Sequence, residues 1–224
     1  MSFALILLLI VAAVGTVGLG VGVVVVKAAS NKQLAAAPAP KQLTADGLAD
    51  ADVLDATVKD LRKGALLEVT GFGDSFEDVQ LEVEAYTRYS RERDEWHELQ
   101  SSYQGRPVAI VWDEERGVLR VWAVKHLRGT ALADVGLDLE ALEGLAKGAT
   151  VEGAGETWTL DDAGKAYSHS NGTGFGKEHR SWELLSGDQR KILRIERWGD
   201  DLPTVSLGEA MEPDGMTIYR VKGK

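Results

Sequence analysis

The sequence predicts a mainly β protein: an N-terminal transmembrane helix, then a β-rich antiparallel sandwich or half-barrel built from a duplicated unit, with a short helix opening each copy. Three observations carry this reading. Val79, Leu81, Val83, Ala85, Thr87 and Tyr89 alternate with Gln80, Glu82, Glu84, Tyr86 and Arg88, the period of a strand with one buried face. Short apolar runs punctuated by Gly, Asp and Pro fill the chain beyond residue 60, the pattern of antiparallel sheets. Leu61-Arg62-Lys63-Gly64-Ala65 recurs at an offset of 84 as Leu145-Ala146-Lys147-Gly148-Ala149.

Residues 3–26 form an unbroken run of apolar and small residues with only Thr16 polar. As a helix it would span about 36 Å against a hydrocarbon core of about 30 Å. No basic residue precedes it, and it exceeds the apolar stretch of a secretory signal, so a retained anchor over residues 1–27 is expected. Cleavage after Ala28-Ala29-Ser30, releasing a secreted or periplasmic β-domain, is the competing reading. Lys27, Lys32 and Lys41 all follow the run, which predicts an outside amino terminus and a cytoplasmic body. Gly18 and Gly22 have the spacing of a small-residue helix contact, so self-association of the span is a further reading. Residues 28–52, with Ala37-Pro38-Ala39-Pro40, have no apolar period and read as a tether.

The first unit is expected over 53–136 and the second over 137–224, together one compact domain. Val53, Val58 and Leu61 correspond at the offset of 84 to Leu137, Leu142 and Leu145, apolar positions of a short helix. Strands are expected at 65–70, 79–89, 94–100, 108–112, 117–126, 150–153, 156–160, 180–185, 192–198, 203–207 and 216–221. Trp96, Glu98 and Leu99 align with Trp182, Leu184 and Leu185, and Ala85-Tyr86 with Ala166-Tyr167. The second copy is longer where Asn171-Gly172-Thr173-Gly174-Phe175-Gly176 reads as a hairpin or loop insertion. The six tryptophans fall at strand positions and are expected in the core.

These residues bring a family into view. Leu-x-x-Gly through Gly64, then Trp96 to Gln100 as Trp-x-Glu-x-x, resembles the bacterial family called domain of unknown function 4178. Gly148, Trp158, Trp182, Leu193-Arg194-Ile195-Glu196 and Ser206-Leu207-Gly208-Glu209 resemble its later half. The resemblance implies a small β-rich domain with Gly64, Trp96, Glu98, Gly148, Trp158, Trp182, Glu196 and Gly208 as structural positions, and it implies no catalytic residue.

Charge narrows the function. The 25 Lys and Arg oppose 35 Asp and Glu, a net charge of -10, and the first 41 residues carry three lysines and no acid, so the remainder carries -13. An acidic body without a basic stripe argues against nucleic-acid binding. The absence of Cys excludes disulfides, thiolate metal sites and a Cys nucleophile. Gly73-Asp74-Ser75 with Asp94-Glu95-Trp96-His97 resembles the blocks of GDS-type serine hydrolases, making Ser75, Asp94 and His97 the weak catalytic alternative. The blocks stand too close together for that family, and the plain reading of the first is a turn. Gly172-Thr173-Gly174-Phe175-Gly176-Lys177 is one residue short of a phosphate loop. His97, His126, His169 and His179 lack metal-ligand spacing; His169 and His179 could meet across a hairpin but read as solvated loop residues, and Asp161-Asp162 reads as a turn. The role expected is a membrane-tethered, non-enzymatic interaction module in membrane-associated or envelope stress functions, with a protein partner and no cofactor.

Overall fold

The computed structural model describes residues 53–73 and 77–223. The expected membrane anchor, its self-association and the tether lie outside the described residues, as does Ser75. Among the described residues no helix is long and apolar enough to cross a membrane.

The described residues form twelve strands: β1 Leu66–Val69, β2 Val79–Glu82, β3 Ala85–Arg91, β4 Asp94–Tyr103, β5 Arg106–Glu115, β6 Val118–His126, β7 Thr150–Gly153, β8 Glu156–Ser170, β9 Lys177–Ser186, β10 Lys191–Arg197, β11 Thr204–Met211 and β12 Met216–Arg220. The one α-helix among the described residues, α1 (Leu139–Gly144), begins at Asp138, whose carboxylate caps the Ala141 N–H at 2.7 Å. Val58–Asp60 forms a single 3-10 turn.

The large sheet runs β3-β4-β5-β6-β11-β10-β9-β8-β7, and β3 also pairs with β8, Thr87 opposite Ser170 through Ser90 opposite Tyr167. That pairing corrects the expected sandwich or half-barrel: eight antiparallel strands close into a barrel, and β7 adds to the free first half of β8. Closure removes the two edges an open sheet would expose. A separate three-stranded sheet, β12-β1-β2, packs on the barrel wall.

The alternating run at 79–89 is two strands. It changes sheets at Val83 and Glu84, where the Val83 N–H bonds the Ala65 carbonyl and the Glu84 N–H bonds Gln100. The buried face changes with it: Val79, Leu81 and Val83 are buried, then Tyr86 and Tyr89. Gly64 and Gly148 both adopt left-handed backbone, φ 80° and 81°, a conformation that favours glycine. Around each the bonds match. Gly64 donates to the Val83 carbonyl at 2.7 Å and Gly148 to that of Leu160 at 2.8 Å, while Ala65 accepts from Val83 and Ala149 from Leu160, both at 2.9 Å.

Three apolar clusters follow from the period of two. Leu99, Ile110 and Trp112 face outward beneath Leu67, Val69 and Leu81 of the small sheet. Trp158, Trp182, Leu184 and Leu193 face outward beneath Leu137 and Leu142. Tyr89, Trp96, Val111, Trp122 and Val124 fill the lumen. Five of the six tryptophans are buried, and Trp198 is half-buried.

Candidate functional site: a charged barrel interior and its mouth

The lumen is lined by the alternate residues of each strand, and several of these are charged. Strands β4 and β10 stand on opposite sides of the ring. Arg194 Nη1 nonetheless donates to Glu98 Oε2 at 2.9 Å, so both side chains point inward. Arg194 Nη2 donates to Glu196 at 3.0 Å, and its Nε faces Glu183 at 3.6 Å, beyond hydrogen-bond reach. One guanidinium, 3% exposed, thus faces three carboxylates. A second buried cation, Arg91, pairs with Asp162 and donates to Ser181. Aromatic rings fill the space between: Trp96 stacks on Tyr89 at 5.3 Å, Tyr89 meets the edge of His179 at 5.4 Å, and His179 stacks on Trp198 at 4.3 Å.

A bulge in β8 puts Asp162 inside. Leu160 pairs with Leu184, but Asp162 pairs with Glu183, so Asp161 is the extra residue. Each unpaired residue reverses the parity of a strand. Trp158 and Leu160 therefore face outward, whereas Asp162 and Ala166 face the lumen. The expected turn at Asp161-Asp162 is thus a bulge inside one strand of 15 residues.

At the end of the barrel with the β3–β4 and β5–β6 turns lies a cleft of about 440 Å³. Trp96, Asp113, Asp162 and Glu183 line it from within, and His97 and Trp112 from the outer wall. Arg120 holds Asp113 by two bonds of 2.8 and 2.7 Å, and also faces Glu115 at 3.0 Å and Asp161 at 3.9 Å. A smaller cleft of about 330 Å³ at the opposite end is lined by Pro107, His126 and Arg128 among others.

Burial and pairing compete in setting these charges. Burial raises the Glu98 carboxyl, but Arg194 and the Gln100 amide outweigh it and hold it below the usual range. Glu196, buried with Arg194 as its counter-ion but repelled by Glu98 and Glu183, is pushed up to about 7. Burial also raises Glu183 against Arg194 and Arg91, and Asp113 against Arg120. Desolvation lowers His97 and His179 to about 4 each, and lowers His126.

The hydrolase alternative does not assemble on its base. On a strand, residues three apart face opposite sides. His97 is engaged instead by the Tyr86 hydroxyl at 2.8 Å on Nδ1 and by Glu95 at 3.2 Å on Nε2, and it stacks on Trp112. Asp94 is exposed at the start of β4. Nor are His169 and His179 solvated loop residues: His179 is 3% exposed in β9, opposite Ala166, while His169 in β8 bonds Ser90 and Gly174. Among the described residues no group of three or more His, Asp and Glu is arranged to hold a metal ion. The glycine-rich segment 171–176 is the β8–β9 turn, not the strand-to-helix loop that cradles phosphate.

Of the positions implied by the family resemblance, the fold brings Glu98 and Glu196 onto one guanidinium, with Trp96 beside them in the lumen. Trp182 faces the other way and donates from Nε1 to the Leu142 carbonyl of α1 at 3.1 Å. Trp158 bonds the Gly153 carbonyl at 2.6 Å. Gly208 sits between Ile192 and Val124, where a Cβ would come within 2.8 Å of a methyl of each. Gly64 and Gly148 make turns. Sequence reasoning missed Arg91, Asp113, Asp162, His179 and Glu183 as interior residues. The signal was charge at alternate positions within apolar strands, as in Ile192-Leu193-Arg194-Ile195-Glu196, which also describes a strand with one wet face.

The family model for the domain of unknown function DUF4178 matches residues 75–213. The chain belongs to that family. The matched stretch runs from before β2 through β11, so it holds every strand of the DUF4178 barrel and all the interior charges. No curated protein and no solved structure matches the chain.

Proposed function

We propose that this DUF4178 chain is a membrane-tethered, non-enzymatic binding module whose ligand enters the barrel at the mouth framed by Asp113, Asp162 and Glu183. The observation that carries this is continuity: the 440 Å³ cleft is lined by lumen-facing residues, one of which, Glu183, also faces the buried Arg194. Barrel mouths are common ligand sites because the wall is rigid while the rim presents polar groups at fixed spacing. Capture of partners by the detergent-solubilised full chain tests it. A partner held by the native chain is expected to be lost by a folded Asp113→Asn/Glu183→Gln variant, and equal retention overturns the reading.

The apolar run 3–26 and the lysines that follow it support an anchor with the body on the cytoplasmic side. An impermeant thiol reagent should fail to label cysteines introduced at Phe175 or Leu202, both exposed, in intact cells. Labelling, or a mature chain beginning near Ser30, overturns this. We also read the body as a duplicated unit, supported by the matched bonds of Gly64 and Gly148 and by the correspondence of β1 with β7 at the same offset of 84. The hydrolase reading has a direct test. A fluorophosphonate probe is expected to leave Ser75 unlabelled.

A further inference from the structure

Resting on that reading, we propose that the mouth recognises a lysine or arginine side chain presented by a peptide.

Two independent features of the cleft ask for different things. Its charge asks for a cation: eight carboxylates line it against four basic side chains, Lys59, Arg93, Arg120 and Lys147, and Arg120 is already shared among Asp113, Glu115 and Asp161. Its aromatic groups ask for an acceptor. Trp96 and Trp112 both line the cleft and are 5% and 7% exposed, and the indole N–H of each has no hydrogen-bond partner among the described residues. A buried donor without an acceptor is costly, and these two stand beside a space a ligand can fill.

The aromatic faces are not what the cleft offers. Tyr89 covers Trp96 and His97 covers Trp112, which argues against an aromatic cage for a quaternary ammonium group. A bare metal ion would leave the indoles without acceptors, and an anion would be repelled by the carboxylates. A peptide bearing a basic residue meets both demands: its ammonium or guanidinium reaches the carboxylates, while its main-chain carbonyls accept from the indoles.

The test is calorimetric titration of the full chain in non-ionic detergent with Ac-Ala-Ala-Lys-Ala-Ala-NH2. Matched peptides carry glutamate or norleucine at the centre, and free lysine is a further arm. Saturable binding of the lysine peptide is expected, weakened by about tenfold or more in Asp113→Asn/Glu183→Gln and also weakened in Trp96→Phe. In the double variant Arg120 keeps Glu115 and Asp161, and Arg194 keeps Glu98 and Glu196; near-ultraviolet circular dichroism confirms the fold. No binding of the lysine peptide overturns the proposal, as does equal binding of the norleucine peptide. Free lysine binding as tightly as the peptide overturns the peptide source. If the glutamate or norleucine peptide binds best and loses affinity in the double variant, the cation assignment falls and the mouth reading stands. If no probe binds and the partner capture is unaffected by the double variant, both fall.

Discussion

Arg194 reaches across the barrel to Glu98, 2.9 Å away on the opposite strand of the ring, and both side chains are 3% exposed. Removing one member of such a pair strands a charge where water cannot reach it. Glu98→Ala is therefore expected to cost about 3–5 kcal/mol of stability. Glu98→Gln should cost less, because it keeps an acceptor for the guanidinium. Urea unfolding followed by tryptophan emission measures both.

Glu196 gives the fold an unusual pH response. Its folded pKa, pushed up to about 7 by burial despite Arg194, lies above the ordinary 4.5. The folded form thus keeps a proton that the unfolded form releases between these values. Its stabilising share is complete below 4.5 and is lost as pH rises through 7. Glu196→Gln should remove this dependence, which appears as a urea midpoint that falls less between pH 4.5 and 7 than that of the parent.

The histidines act in the opposite sense. His97 and His179 are lowered from 6.5 to about 4, mainly by desolvation. Their contribution is full above 6.5 and is lost as pH falls through 4. His179→Phe is expected to soften the acid loss, and Glu196→Gln, by removing the opposing group, to steepen it. Imidazole proton resonances followed with pH should place both rings well below an ordinary histidine.

Gly208 has ordinary strand backbone, but the wall leaves no room for a methyl. A Cβ there meets Ile192 Cγ2 and Val124 Cγ2 at 2.8 Å, and β-branched side chains turn aside poorly. Gly208→Ala should cost about 1–3 kcal/mol through overpacking. A thermal scan against the parent detects it.

Trp182→Phe tests the seat of α1. The native indole is fully buried and bonds the Leu142 carbonyl near the end of the helix. The variant loses that bond and leaves a void, so a loss of about 1–3 kcal/mol is expected. Faster hydrogen exchange confined to residues 139–144 would accompany it.

How far these features could be read beforehand depends on their range in the chain. Val79 to Val83, the Lys-Gly turns at 64 and 148, and the strands near 94, 118, 150 and 216 declare themselves through local rules: alternation, a left-handed turn, punctuation by Gly and Asp. Glu98 and Glu196 stood out only as positions in a resemblance, and their meeting on Arg194 joins residues 96 positions apart. The aligned tryptophans show the limit well. Trp96 and Trp182 match in sequence, yet one lies in the lumen and the other beneath α1, because a shift of one residue reverses which side of a sheet a side chain occupies.

Alternation along a strand is written in its residues, because successive side chains point to opposite faces wherever the strand is placed. Which face becomes an interior is not. That was settled by the β3–β8 pairing, which turned one face of the sheet into a lumen, and by the bulge at Asp161, which turned Asp162 toward it. The same polar residues on an open sheet would face water, and closure converts them into a buried charge network and the floor of a site.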